Sequence, residues 1–547
     1  MNEQAPERAH ELDPPLTHLS ASGTVKTDDI FAAQKIIADI SSGIYRSPAA
    51  ALKELVANAY DADARRVTIT TDPPRFRTLT VEDNGSGMTI GIFLDVLKHI
   101  GGSRKRIAED TSTVFQRKLI GRIGIGLLAV AQLGNRFYVS SSVKNNGTKF
   151  IAEVSLDSFH KDEPALRTMG GDTEKVHLGA IRYVDDIPER EDVQYTVITI
   201  PDAKEGLISE FTGLVRRAVG ATEALEIGKS VIKDYSDLVR VVQSANRADL
   251  VLDGYYYMLW ELGLLCPLNY IGKDPFSAPG RNIDGEPIDL PRVDSFELIV
   301  DGISLRRPQY FPNPQANGYA SPDPKAYPVH FDEEVAGRRL SVTGYIYVQQ
   351  PRIRPEELKG VHIRIRNVGV GMYDKSWLGY PFDEGMKFGQ VTGELIVREG
   401  LESALNIDRD SFRETDVHYQ ALRAYLWDML RTVVFPDFKA RQLRFRQSRK
   451  KHAQQTAADP FLVALAELSA GTIDPNSENV DGFSDVADKL KVSEQELMQI
   501  AREFALTEDL SRPFKRVLLA LAASELLVDY PGTDLMPLYR ALAAAIY

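Results

Sequence analysis

The chain has one cysteine, Cys266, in the apolar stretch 262–268. A disulfide framework and a Cys-rich metal site are therefore excluded, and Cys266 reads as a small buried apolar residue. The nine histidines show neither HExxH nor paired ligand spacing, so no zinc site is expected. Nowhere do about twenty apolar residues run together. The densest run, 517–523, is broken by Ser524 and Glu525 and reads as a buried helix. The first thirteen residues are polar and acidic, unlike a signal peptide. These absences predict a cytoplasmic protein with no membrane segment. An excess of basic charge is also missing: Lys+Arg 65 against Asp+Glu 77 gives −12. That balance disfavours a surface coated for non-specific nucleic-acid binding and leaves room only for a local patch.

What is present is an ordinary globular composition, 43% hydrophobic and 26% charged. At roughly 150 residues per domain, the length predicts three to four domains. Residues 1–25 read as a flexible segment. From 26 to 203, helical spacing at 30–44 and 49–62 gives way to period-two strands at 66–70 and 78–82. A glycine-rich turn then opens an apolar helix at 127–133, and strands follow at 137–141, 150–154 and 196–200. This order predicts an α+β sandwich rather than a regular βαβ array. A helical stretch, 204–289, leads to a second mixed block, 290–438, with strands near 296–300, 340–348 and 361–366 and a closing helix at 419–434. Within it, 306–328 is crowded with Pro, Asn and Tyr and reads as an ordered surface loop. A basic linker, 439–458, and a helical terminal bundle, 459–547, complete the chain.

Four separated segments carry chemistry. In the first, Lys53-Glu-Leu-Val-Ala-Asn-Ala-Tyr-Asp-Ala62, helical geometry puts Glu54, Asn58 and Asp61 on one face. Two carboxylates and a carboxamide on one stripe can hold a hard cation and polarise a water, although the stripe alone reads first as a solvated helix face. In the second, a strand ends at Asp83, and Asn84-Gly85-Ser86-Gly87-Met88 follows. The glycines permit close backbone approach to a flat ligand and Asp83 can accept from an exocyclic amine; a plain hairpin turn is the alternative. In the third, Gly121-Arg122-Ile123-Gly124-Ile125-Gly126 opens a helix, where backbone amides can hold an anion. The fourth is Gly400 to Phe412, with Arg409 between Asp408 and Asp410.

In this order and spacing, the first three segments resemble the nucleotide motifs of the GHKL superfamily. That group includes heat-shock-protein-90 chaperones, MutL mismatch-repair proteins, type II topoisomerase ATPase domains, MORC proteins and sensor histidine kinases. The resemblance covers about residues 30–202 and implies a Bergerat-type ATPase sandwich that uses ATP and Mg²⁺. It implies that Glu54 is the general base and that Asn58 ligates Mg²⁺. Asp61 and Ala62 complete the first motif. Asp83 would receive the adenine amino group, assisted by Thr196, while Gly85, Gly87 and Met88 shape the pocket. Gly121, Arg122, Ile123, Gly124, Ile125 and Gly126 would wrap the phosphates, beneath a lid at 99–119 that includes Lys105. The Leu405-Asn-Ile-Asp-Arg409 segment resembles the chaperone middle domain, where an arginine reaches the γ-phosphate. Arg409 is the matching position, which makes 290–438 a transducer-like domain.

The expected function is a nucleotide-gated, dimeric ATPase clamp of the heat-shock-protein-90-like kind, acting on a protein client. The alternative is a DNA-acting MutL/MORC-like clamp, supported by seven basic residues and no acidic one between Lys439 and Lys451. Two decoys fall away. Gly228-Lys-Ser230 lacks the glycine a phosphate loop needs, because residue 223 is Glu. Asn367-Val-Gly-Val-Gly-Met372 has no acidic residue ending the strand before it and reads as a turn.

Overall fold

The computed structural model describes residues 24–33, 47–98, 115, 117, 129–156, 167–168, 175–212, 232–244, 254–272, 274–276, 288, 290, 293, 296–311, 324–406, 409–455, 494–503, 539–540 and 543. In chain order the first elements are β1 (Lys26–Ala33), α1 (Pro48–Asp61), β2 (Arg66–Thr70), β3 (Leu79–Asp83), α2 (Ile90–Lys98), α3 (Val130–Leu133), β4 (Arg136–Ser142) and β5 (Thr148–Ser155). Next come β6 (Arg167–Thr168), β7 (Lys175–Pro188), β8 (Tyr195–Ile200), α4 (Glu205–Phe211), α5 (Tyr235–Ser244), α6 (Gly254–Leu265), β9 (Glu297–Val300) and β10 (Ile303–Ser304). The later ones are β11 (Lys325–Val335), β12 (Arg338–Val348), β13 (Gly360–Ile365), β14 (Val368–Asp374), β15 (Val391–Glu399), α7 (Val417–Met429), α8 (Phe435–Gln455) and α9 (Glu494–Glu503). The fold is α+β.

Two compact units divide the chain. The first comprises 1–311, 325–348 and 352–430; the second comprises 312–324, 349–351 and 431–547. In the first unit, one sheet runs β1-β7-β5-β4-β8-β3-β2-β9-β10, with β6 also on β7. All its pairings are antiparallel except β2 with β9. Alternation explains the layering: on β2, Val67 and Ile69 face the core while Arg66, Thr68 and Thr70 face outward. Helix α1 covers the inner face. Ser47 caps it by accepting from the Ala50 amide at 3.2 Å, and Pro48 occupies the first turn, where its missing N–H costs nothing. Its Ala-rich sequence favours helix, and Leu52 and Val56 are fully buried. Truncating Leu52 to alanine would cost on the order of 2–5 kcal/mol.

The second sheet of this unit runs β11-β12-β15-β13-β14, antiparallel except where β15 meets β13. Helix α7 lies on β11, with the Tyr425 hydroxyl donating to His330 O at 3.0 Å. Helix α6 packs against both α1 and β14 and so joins the two sheets. A wholly buried polar cluster ties the joint. Arg364 Nε donates to Glu394 Oε1 at 2.8 Å, and the Tyr270 and Tyr345 hydroxyls each donate to Oε2 at 2.9 Å. Burial pushes the Glu394 carboxyl up, but Arg364 and its other partners outweigh that and hold it well below the usual range. In the second unit, α8 is a 21-residue helix, and Arg540 pairs with Glu503 of α9 at 3.0 Å.

Several expectations change. Residues 30–33, read as the start of a helix, lie in β1, because pairing with β7 supplies backbone partners that outweigh the local pattern. Residues 325–328, read as loop, begin β11 opposite β12. Residues 297–304, grouped with the second mixed block, extend the first sheet alongside β2. The helix expected at 419–434 runs as α7 and then passes through a π-helical turn at Leu430–Val434. The segment 367–372, read as a turn, turns only at Arg366 and Asn367, both with positive φ; from Val368 it is strand β14, paired with β13.

Candidate functional site

Sheet register assembles one side of the site. Asp83 on β3 stands opposite Thr196 on β8, and Thr196 stands opposite Ser141 on β4, so the three side chains form a lateral row on one face. The Ser141 hydroxyl donates to Tyr195 O at 2.8 Å and accepts the Met88 amide at 2.9 Å. Thr196 Oγ1 lies 3.1 Å from Ser141 Oγ. Since the single Ser141 proton is committed to Tyr195 O, Thr196 donates to Ser141 and keeps its lone pairs for a ligand. Ser141 was not singled out from sequence; its only signal there is the Ser140-Ser-Ser142 run at a strand end.

The turn after Asp83 is shaped by close approach. Gly85 donates its amide to Asp83 Oδ1 at 2.8 Å, and the Ser86 amide donates to Ala62 O at 2.7 Å. A Cβ at Gly85 would lie 2.7 Å from Ala62 O; one at Gly87 would lie 2.0 Å from Ser142 O, where φ is +66°. Only glycine fits there. Asn84 Oδ1 accepts the amides of Arg65 and Arg66, both at 2.9 Å, which pins the turn to β2. Desolvation raises the half-buried Asp83 carboxyl to about 7, further helped by Glu82 and opposed by the Gly85 amide. This row of a carboxylate, two hydroxyls and a glycine-lined turn fits a flat heterocycle bearing an exocyclic amine.

The other side is α1. Glu54 and Lys53 are each 1% exposed, while Asn58 and Asp61, one and two turns on, are half-buried. Arg409 Nη1 donates to Glu54 Oε2 at 2.8 Å, and Lys53 Nζ lies 3.0 Å from Asp410 Oδ1 and 3.7 Å from Glu54 Oε1. Two adjacent residues of the helix thus meet two adjacent residues of a distant loop in opposite-charge pairs. Arg409 has φ +52°, and its amide donates to Asn406 O at 3.1 Å. Gly371 on β14 supports this loop: His362 Nε2 lies 3.0 Å from Gly371 O, and a Cβ at Gly371 would sit 2.4 Å from Asp410 O. Burial and the nearby Arg364 lower the His362 pKa to about 4, so it is a neutral strut. Lys53 and Asp410 were also not singled out from sequence; the adjacency of each to a singled-out residue was the available signal.

The structure therefore brings together Glu54, Asn58, Asp61 and Ala62 on α1 and its cap, Asp83, Gly85, Gly87 and Met88 on the β3 turn, and Thr196 on β8. It also sets Arg409 on Glu54. Lys105 and the whole of Gly121, Arg122, Ile123, Gly124, Ile125 and Gly126 lie outside the described residues, as does Gly228-Lys-Ser230. The Asn58 carboxamide oxygen is a hard donor one turn from Glu54, which suits a magnesium ion better than a softer metal. Among the described residues no cluster of three or more His, Cys, Asp or Glu forms a metal site, and no helix is long and apolar enough to cross a membrane.

Comparison with known proteins agrees with this geometry. The family described as histidine kinase-, DNA gyrase B- and HSP90-like ATPase matches residues 45–178. The putative type II restriction enzyme HgiDII of Herpetosiphon aurantiacus is 34% identical over 96 residues, 18% of this chain and 15% of that protein. The DNA mismatch repair protein MutL of Streptococcus uberis is 24% identical over 215 residues, 35% of this chain and 31% of its own. MutL of Rhizobium leguminosarum bv. trifolii is 28% identical over 242 residues, 41% of this chain and 38% of its own. The matches thus span well under half the length of these relatives.

Proposed function

Because the chain belongs to the GHKL superfamily through its ATPase domain and carries MutL-like features, we propose that it binds and hydrolyses ATP and works as a nucleotide-gated clamp on DNA. The observation that carries this reading is the buried ion pair between Glu54 on α1 and Arg409, 355 positions later, which sets a carboxylate and a guanidinium at one point. The chaperone-like reading with a protein client gives way, because the mismatch-repair relatives favour the DNA-acting alternative.

In this reading Asp83 accepts the adenine amino group, with Thr196 and Ser141 beside it, and Gly85, Gly87 and Met88 let the backbone lie against the ring. Lys105 and Gly121 to Gly126 contact the phosphates. Asn58 would hold Mg²⁺, which would neutralise charge across the phosphates. Glu54 orients the attacking water and takes its proton. Arg409 leaves Glu54 for the γ-phosphate, so the movement that supplies the cation also frees the base. That exchange makes hydrolysis depend on how the loop 405–412 sits against α1, the requirement for a gated cycle in a homodimer. DNA contact falls to α8, where Lys439, Arg444 and Arg446 are exposed.

The test is ATP turnover by the purified chain beside Glu54→Ala. The variant should retain ATP while turnover drops by about 10²–10⁴. Undiminished turnover would remove Glu54 as the base, and no ATP binding by the unaltered chain would sink the reading altogether.

A further inference from the structure

We propose that Arg117 is a positioning residue for the nucleotide pocket, a role that rests on the ATP reading above. Arg117 falls within the 99–119 stretch expected to form the lid, but the residue itself is buried, and its guanidinium is bonded to the end of α1. Arg117 Nη1 donates to Tyr60 O at 3.1 Å and to Ala64 O at 2.6 Å. Its charged plane faces the rings of Tyr60 at 4.2 Å, Phe115 at 4.7 Å and Phe296 at 5.7 Å. Burial disfavours this cation and lowers its pKa, with Tyr60 and Asp63 opposing that loss.

What Arg117 grips is the turn on which the adenine side rests. Helix α1 ends with Asp63 at φ +62°, with Ala64 N donating to Ala59 O and Asp63 N to Tyr60 O, the reciprocal pattern that closes a helix through a left-handed residue. Asp63 would ordinarily be glycine at such a position; here its Oδ1 accepts the Phe115 amide at 3.2 Å, a second tie between the same two segments. Between the two carbonyls that Arg117 holds lies Ala62, whose own carbonyl accepts the Ser86 amide and stands against Gly85. Arg117 therefore acts through Ala62 on the turn that aims Asp83. The carbonyls it holds belong to Tyr60 and Ala64, a turn or more beyond Glu54. The effect belongs on ATP affinity rather than on the chemical step.

The experiment compares ATP binding by calorimetry and saturated turnover for the full chain and Arg117→Lys, which keeps the charge but loses the planar, two-carbonyl grip. The expected result is an ATP Kd raised about tenfold with kcat within about twofold and the native fold retained by circular dichroism. A folded Arg117→Lys with unchanged Kd, or with kcat lowered at unchanged Kd, would overturn the proposal. If Arg117→Lys does not fold, Phe296→Leu decides: this removes only the most distant ring, and Kd should rise about threefold. An unchanged Kd in folded Phe296→Leu overturns it. Absence of ATP binding in the unaltered chain would instead strike the ATP reading itself.

Discussion

Arg409 and Glu54, 355 positions apart in sequence, meet at 2.8 Å in a buried ion pair. Beside it, Lys53 meets Asp410 at 3.0 Å, so the charges alternate across the contact between α1 and the loop. Removing water from four charges is costly, and such a lattice holds only when every member keeps its partner. In the proposed cycle this pairing is the resting state, and hydrolysis would require the Arg409 guanidinium to exchange Glu54 for a phosphate.

Arg409→Ala exposes two opposing effects. It frees Glu54 from its ion partner, and in the proposed cycle it removes the cation from the charge developing at the γ-phosphate. An arginine in that role is worth about 10³–10⁵ in rate, so its loss outweighs the release of Glu54. Turnover should therefore fall by at least about a hundredfold, with ATP binding kept. The variant should also lose on the order of 3 kcal/mol of stability, because Glu54 stays buried with only Lys53 nearby. A rise in steady-state turnover would reverse the assignment and make Arg409 purely an inhibitory contact.

Asp83 predicts a pH dependence. Its folded pKa is about 7 against an unfolded value of 3.8. Between those values the folded chain binds more protons than the unfolded chain, so this group's contribution to stability declines as pH rises through the window and is level above 7. An adenine amino group donates to the ionised form, so ATP binding should expel a proton. Affinity should strengthen roughly tenfold from pH 6 to pH 8, and calorimetry in buffers of different ionisation enthalpy should detect the proton released near pH 6.5. A pH-independent Kd would remove Asp83 as the acceptor. Asp83→Asn should bind ATP more weakly and abolish the pH dependence.

Gly87→Ala should be far more damaging than the same change at Gly302 or Gly337. All three have positive φ, but a Cβ at Gly87 would lie 2.0 Å from Ser142 O, while nothing lies within 4 Å at the other two. The open positions should lose only the backbone term, about 1 kcal/mol each. Gly87→Ala must also displace the turn from β4, breaking the Met88–Ser141 hydrogen bond, for a total of roughly 2–4 kcal/mol. Thermal unfolding of the three variants ranks them, and equal losses would mean that the turn yields without cost.

The parts of the site legible in the sequence are those set by local geometry. The α1 face, the strand ending in Asp83 and the Gly85–Gly87 turn follow from helical spacing, period-two alternation and the demands of positive φ. What was hidden depends on register. Nothing local aligns Ser141 with Thr196; that follows from β4 pairing with β8. The long strand β7 and the conversion of 30–33 into β1 are likewise products of one another. The joining of β9 to β2 is a parallel pairing across more than 200 residues, for which no short-range pattern exists. Lys53 and Asp410 gain a role only when α1 and the loop meet.

The basic helix α8 bears on the DNA reading through a contest of charge. The chain carries −12 overall, which repels a phosphate backbone, but in physiological salt charges beyond about 8 Å are largely screened. The local surface decides. After Asp437, α8 contains no acidic residue; Lys439, Arg444 and Arg446 are exposed, and Leu443, 56% exposed, lies among them. Arg444 stands 3.7 Å from Asp437, a loose surface pair that offers little competition to a phosphate. Duplex DNA should therefore bind with a log–log salt slope that falls by about 1 for Arg446→Ala, and by less for Arg444→Ala because Asp437 already neutralises part of its charge. Binding measured by fluorescence anisotropy over a range of salt tests this. Undiminished slopes in both single variants would move the DNA contact off α8, and no binding at low salt would return the clamp to a protein client.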